Sequence, residues 1–350
     1  MIILLLVRFI PQPPEGEVEY ARLILSQAAS NDAATYSKKL YGEAKALYDS
    51  AMTHWESENK RFIYLRNYDI VARFAELSAR KAEQATKVSR NNVTDLNIRL
   101  KQKLDSLGNL AHQIDKYFAS YPLSPEVWNR ISKGKMLLKE SEVAFKKGQL
   151  VQANKKITDS EELLTDSYEK ATSHLKGYFK SYPTWKKWAD KTIRDSRQNN
   201  SYSIIIDKYS RKCLVYFRGV KKYEYNVELG KNWAGDKRIK GDKATPEGMY
   251  KIIKKFGSNK TKYHKALLID YPNEADREDF KKEIANGTLP RSAKIGSLIE
   301  IHGDGGRGID WTEGCVALTD SEMDVIFKIA REGTTVTIIG SMVNLDQLLH

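Results

Sequence analysis

Only two cysteines occur in 350 residues. That scarcity excludes a disulfide-dense scaffold and a multi-cysteine zinc module. No apolar run approaches the roughly 18 residues that a membrane-spanning helix needs. Residues 17–197 are poor in glycine and proline, which excludes a loop-rich or turn-punctuated β architecture there. The histidines of that stretch, His54, His112 and His174, have no cysteine or second histidine at metal-ligand spacing.

What remains is a chain of 41% hydrophobic and 29% charged residues, the composition of a globular protein long enough for two or three domains. Its formal net charge of +13 suggests attraction to something anionic, such as nucleic acid, a membrane surface or a cell-wall polymer. Residues 1–199 hold 33 basic and 24 acidic side chains, and residues 200–350 hold 25 and 21. Positive charge is thus interleaved with acids along the first half, as on a solvated helical surface. No recognition motif or aromatic-lined basic stripe is visible, so a nucleic-acid partner is not expected.

Met1–Ile10 reads MIILLLVRFI and precedes Pro11, Pro13 and Pro14. It is too short to span a bilayer and has no basic start, so it reads as the stub of a signal or anchor segment ending near residue 16. From there to residue 197 apolar residues recur at helical spacing. Leu40, Ala44, Leu47, Ala51 and Trp55 form one stripe, and Leu65, Tyr68, Ala72, Ala75, Ala79 and Ala82 continue with small residues. Leu100, Leu104, Leu107, Ala111, Ile114 and Phe118 step by fours and threes, which suits closely aligned helices. A last long stripe from Leu150 to Leu175 is expected to close at Tyr182-Pro183, and Trp185, Trp188 and Ile193 suggest one more amphipathic turn or two. The segment Tyr117–Pro122 repeats as Tyr178–Pro183 in five of six positions, as two helices stopped by the same local chemistry would do. Arg194–Ser201, RDSRQNNS, is expected to be a linker.

After Ser201 the period changes. Short runs rich in Val, Ile, Tyr and Leu at Ser203–Ile206, Leu214–Phe217, Tyr223–Leu229, Met249–Ile253, Leu267–Asp270, Leu298–His302 and Thr334–Ile339 read as strands between glycine turns. Thr319–Arg331 reads as an amphipathic helix capped by Thr319 or Asp320. The expected fold is therefore α+β and multidomain. An all-α bundle or set of hairpins over 17–197 is followed by a β-rich sandwich or distorted barrel over 202–340, with a tail at 341–350.

Chemistry concentrates in Ile301–Leu318, IHGDGGRGIDWTEGCVAL. His302 ends an apolar strand, a glycine-rich loop follows, and Cys315 lies 13 residues on. An imidazole can generate or stabilise the thiolate that a cysteine nucleophile needs. Gly314 lets the backbone turn sharply before the cysteine. Amides at Gly314 and Cys315 are then placed to stabilise an oxyanion. Taken alone, a cysteine and a histidine fit a buried structural thiol equally well. Cys213, at the start of a strand, reads as inert. Glycines 303, 305, 306 and 308 are no dinucleotide fingerprint, because the strand–helix context is absent.

The wider pattern resembles the catalytic motif of the L,D-transpeptidase (YkuD-type) family. The matching residues are His302-Gly303, then Thr312-Glu313-Gly314-Cys315-Val316-Ala317-Leu318. Two further family stretches occur in order, Thr245-Pro246-Glu247-Gly248-Met249-Tyr250-Lys251-Ile252 and Leu268-Ile269-Asp270-Tyr271-Pro272-Asn273. The resemblance covers about residues 202–340. Glu313 and Ala317 depart from the common pattern, which has His and Arg or Asn there. The resemblance implies a YkuD-like sandwich domain acting on peptidoglycan stem peptides at the bond between the diamino acid and D-alanine. Cys315 would attack, His302 would carry the proton, and the carbonyl of Gly303 would orient the imidazole. Gly314 would share in oxyanion stabilisation. Thr312, Arg307, Tyr271 and Trp311 are the expected substrate-side residues, Arg307 replacing the missing anchor for a carboxylate and Tyr263 and His264 being candidates for the groove. No metal or organic cofactor is implied. Cross-linking is the expected activity and L,D-carboxypeptidase or endopeptidase hydrolysis the near alternative. A non-catalytic wall-binding scaffold stands third. The expected location is the periplasm or cell envelope, with anchoring through the amino-terminal stub and a possible envelope protein partner on the helices.

Overall fold

The computed structural model describes residues 10–349, so most of the expected amino-terminal stub lies outside the described residues. The chain divides into two compact units. One comprises the chain up to Gly108 together with Gly134–Glu161, and the other comprises Asn109–Lys133 and the chain from Glu162 on.

The first unit is helical. Its elements are α1 (Glu15–Ser30), α2 (Ala33–Tyr36), α3 (Lys38–Asn59) and the first part of α4 (Asp69–Phe118), with parts of α5 (Pro125–Lys146) and α6 (Leu150–Tyr178). Small side chains let the backbones approach. Ala44, Ala51, Ala75, Ala79 and Ala82 are all buried, and Ser78 Oγ donates to the carbonyl of Ala44 at 2.8 Å. Such a contact is open only to a helix pair with no bulky side chain between the two backbones.

In the second unit, the Phe179–Ser181 turn leads into α7 (Tyr182–Gln198). The helix carrying the last long stripe ends at Tyr178, and Pro183 sits in the first turn of α7, where its missing N–H is not needed. One expectation is corrected here. Arg194–Ser201 is not a linker, since it contains no glycine or proline and continues α7 to Gln198. The small face of that helix is buried: Thr192 shares a 2.6 Å hydrogen bond with Thr337, and Ser196 Oγ donates to the carbonyl of Ser201 at 2.7 Å.

The strands are β1 (Tyr202–Asp207), β2 (Lys212–Phe217), β3 (Val220–Asn226), β4 (Gly248–Phe256), β5 (Ala266–Ile269), β6 (Glu300–His302), β7 (Val316–Ala317) and β8 (Thr335–Ile339). They form one sheet in the order β3-β2-β1-β8-β4-β5-β6-β7. Residues Gly248–Lys251 of β4 pair with β8, and the remainder of the strand pairs with β5 after a register shift between Ile252 and Lys254. That irregularity lets the sheet curl about β4. The region after residue 201 is thus a curled β-sheet domain, preceded in the chain by a largely helical region.

Between the strands lie α8 (Glu274–Ala285) and α9 (Asp320–Ile329). Thr319 precedes α9, and the Glu322 carboxylate accepts its backbone N–H at 3.1 Å, half of a capping box. The carboxyl-terminal residues end in α10 (Leu345–Leu349), whose leucines pack on the core of this unit.

A buried charge pair ties α6 and α7 to the sheet. Lys208 Nζ donates to Glu247 Oε1 at 2.7 Å and to the carbonyls of Gly235 and Thr245. The same carboxylate accepts from Tyr178 Oη at 2.7 Å and Trp185 Nε1 at 2.8 Å. Every donor of the ammonium is thereby used, which is the condition for burying it.

Candidate active site

Strands β6 and β7 set the site. They run parallel, with Ile301 opposite Val316 and His302 opposite Ala317. Continued by one residue, that register brings Glu300 level with Cys315. Side chains alternate along a strand, so Glu300, His302 and Cys315 project to the same face. The thirteen intervening residues form the loop that makes this return.

His302 is fully buried. Its Nδ1 lies 2.6 Å from the carbonyl of Gly303, which can only accept, so Nδ1 carries the proton and Nε2 is the basic nitrogen. Nε2 has no hydrogen-bond partner among the described residues. Tyr263 stacks on the imidazole with centroids 3.6 Å apart, and Trp311 meets it edge-on at 5.9 Å. Burial pushes the imidazole down to about 4, against the opposing pull of the Gly303 carbonyl.

Cys315 is a free, half-buried thiol. Its Sγ accepts from the N–H of Glu300 at 3.4 Å and faces the carbonyl of Leu298 at 3.8 Å. It is not hydrogen-bonded to His302. Burial pushes the thiol up to about 11; the Glu300 carboxylate adds to this, while the Glu300 N–H and the charges of Lys262 and Lys237 oppose it. Thiol and imidazole therefore rest as a neutral pair near pH 7, and a nucleophilic attack would have to move the proton as it proceeds.

The loop before the cysteine is fixed from within. Thr312 Oγ1 donates to the carbonyl of Cys315 at 2.7 Å and accepts from the N–H of Gly314 at 3.2 Å. Gly314 has φ +129, and a Cβ there would lie 2.6 Å from the carbonyl oxygen of Ala244. Both the conformation and the space require glycine.

Glu228 fixes the other side of the loop and was not apparent in the sequence. Its carboxylate accepts from Gly308 N and from Trp311 Nε1, both at 2.6 Å. Trp311 is thereby held beside His302. The Arg307 guanidinium lies over the Trp311 ring at 3.6 Å, at an exposed position. Asp310 is engaged elsewhere, with Arg211 at 2.8 Å.

Tyr271 is buried against Tyr250 and lines a cavity of about 240 Å³ with Trp188 and with Lys237, whose charge acts on Cys315. His264 bonds Asp324 at 2.7 Å. Cys213 is fully buried and its thiol is pushed far up by burial. No group of three or more potential metal ligands occurs among the described residues.

Residues 201–338 match the family model of YkuD, the L,D-transpeptidase catalytic domain. This stretch is accordingly a YkuD-type domain, preceded by a largely helical region. No curated protein matches the chain significantly. Among solved structures it is similar to Bd1075 of Bdellovibrio bacteriovorus, at 24% identity and TM-score 0.33 over 43% of this chain and 53% of that one. It is also similar to an L,D-transpeptidase from Stackebrandtia nassauensis, at 18% identity and TM-score 0.26 over 40% and 56%. An L,D-transpeptidase from Mycobacterium smegmatis gives 9% and 0.26 over 40% and 58%. The chain spans just over half the length of these proteins.

Proposed function

We propose that this protein is a cysteine-dependent L,D-transpeptidase that remodels peptidoglycan. The observation that carries the reading is the β6–β7 register, which sets Cys315 on the same face as a histidine whose Nε2 is unpartnered. In the proposed reaction, Cys315 Sγ attacks the carbonyl carbon between the diamino acid and D-alanine as its proton passes to His302 Nε2. The N–H of Gly314 is already held by Thr312, so the N–H of Cys315 is the donor best placed to receive the oxyanion. Collapse expels the D-alanine amine, which takes the proton from His302 and leaves a thioester on Cys315. An amine from a second stem then attacks the thioester and forms the cross-link, restoring the thiol. Water in place of that amine gives a trimmed peptide. Arg307, stacked on Trp311 at the exposed edge, is the proposed anchor for the terminal carboxylate.

The same proposal locates the enzyme in the periplasm or cell envelope and gives the helical region the role of docking an envelope protein. The test is mass spectrometry of purified tetrapeptide and pentapeptide muropeptides incubated with the protein and with Cys315→Ala. Cross-linked dimers or exchanged D-amino acids, absent with Cys315→Ala, support transpeptidation. Cys315-dependent shortening makes the protein a hydrolase. Unchanged substrate with no adduct on Cys315 favours the scaffold.

A further inference from the structure

Two opposite charges act on Cys315 and on one another without forming an ion pair, and the Lys262 ammonium also interacts with the Tyr263 hydroxyl. Glu300 is level with it across β6 and β7, half-buried, and on the same face as His302. Lys262 precedes the tyrosine that covers the imidazole, with Nζ 4.9 Å from the centre of that ring. Neither Glu300 nor Lys262 is in an ion pair within 4.0 Å among the described residues. Nearby, Lys237 holds Asp242 at 2.6 Å, and Lys265 and His264 hold Asp324, whereas Arg307 lies over the Trp311 ring. A half-buried carboxylate left open costs stability unless a ligand completes it.

We propose that Glu300 and Lys262 form a subsite for the head of an α-amino acid, its ammonium on Glu300 and its carboxylate on Lys262, beside the Cys315 thiol. A group carrying both charges satisfies both residues, whereas an amine or an acid alone leaves one of them open. The electrostatics of the site agree with this placement. The Glu300 carboxyl is raised by burial and lowered by Lys262, and both charges act on the thiol. The inference deepens the transpeptidase reading and rests on it only for the identity of the natural ligand, where the free end of a stem diamino acid supplies such a head.

The test measures protection of Cys315 from iodoacetamide, with the labelled peptide identified by mass spectrometry. Three probes share one skeleton type: meso-diaminopimelate, cadaverine without carboxylates and pimelate without amines. Diaminopimelate is expected to slow alkylation, and the other two are not at the same concentration. Glu300→Gln and Lys262→Met are each expected to raise the half-protecting concentration about tenfold, judged against each variant's own unliganded rate. Equal protection by cadaverine or pimelate, variants that match the parent, or no protection by any probe overturns the subsite. Muropeptide turnover is followed in parallel. Turnover without charge-dependent protection removes the subsite alone, and protection without turnover removes the transpeptidase reading alone.

Discussion

Tyr263 and His302 stack face to face, their ring centroids 3.6 Å apart and their planes 6° from parallel. The tyrosine comes from the loop before β5 and closes one face of an imidazole that the sheet has already buried. Removing it admits water to the ring. Tyr263→Ala is therefore expected to raise the His302 pKa from about 4 toward the ordinary value near 6.5. An NMR titration of the imidazole signals reads this directly, and an unmoved midpoint would show that Tyr263 does not shield the ring.

The same burial makes stability depend on pH. His302 is neutral when folded down to about pH 4, but in the unfolded chain it takes up a proton below about 6.5. Its contribution is fully present above pH 6.5 and is lost as pH falls toward 4, where the loss reaches about 3 kcal/mol. Urea unfolding between these limits is expected to fall less steeply in His302→Gln. Parallel curves for variant and parent would place the pH dependence elsewhere.

The two thiols should separate by reactivity. Cys315 is half-buried and raised to about 11, whereas Cys213 is fully buried. Native protein is expected to take up one equivalent of iodoacetamide, slowly near pH 7 and faster as pH rises through 9 to 11. The second equivalent should require denaturant. Glu300→Gln removes a negative charge beside Cys315 and should speed the first reaction at pH 8. Labelling of Cys213 in the native state would contradict the packing of β2.

The Lys208–Glu247 pair predicts a large and partly reversible effect. Lys208→Met leaves a buried carboxylate without its counter-charge, at a cost of about 3–5 kcal/mol. Adding Glu247→Gln removes the orphaned charge and is expected to recover part of that loss. Denaturant midpoints of the two variants decide the matter. A Lys208→Met protein as stable as the parent would mean that the carboxylate protonates or rehydrates without penalty.

Some features could be read locally and others could not. The change of apolar spacing near residue 201 marks the transition from helix to sheet, and Thr319 marks the start of α9. The α8 helix escaped this reading because none of its residues is buried, so it has no apolar stripe; its signal was the Asn273 and Asp276 capping box. The end of α7 was misread because a polar run without glycine or proline resembles a linker, although Thr192 and Ser196 hydrogen-bond from its inner face.

By itself the sequence determined the helical and sheet regions, the strand that ends at His302 and the glycine demanded before Cys315. These depend on residue period and backbone freedom, which act over a few residues. The tertiary structure decided that Glu300, Tyr263 and Lys262 accompany Cys315 and His302, that Glu228 holds Trp311, and that Tyr271 packs on Tyr250 and lines a cavity with Lys237. Those placements depend on which strands pair and in what register, and on which charges burial leaves without a partner. Both are set by contacts between residues distant in the chain.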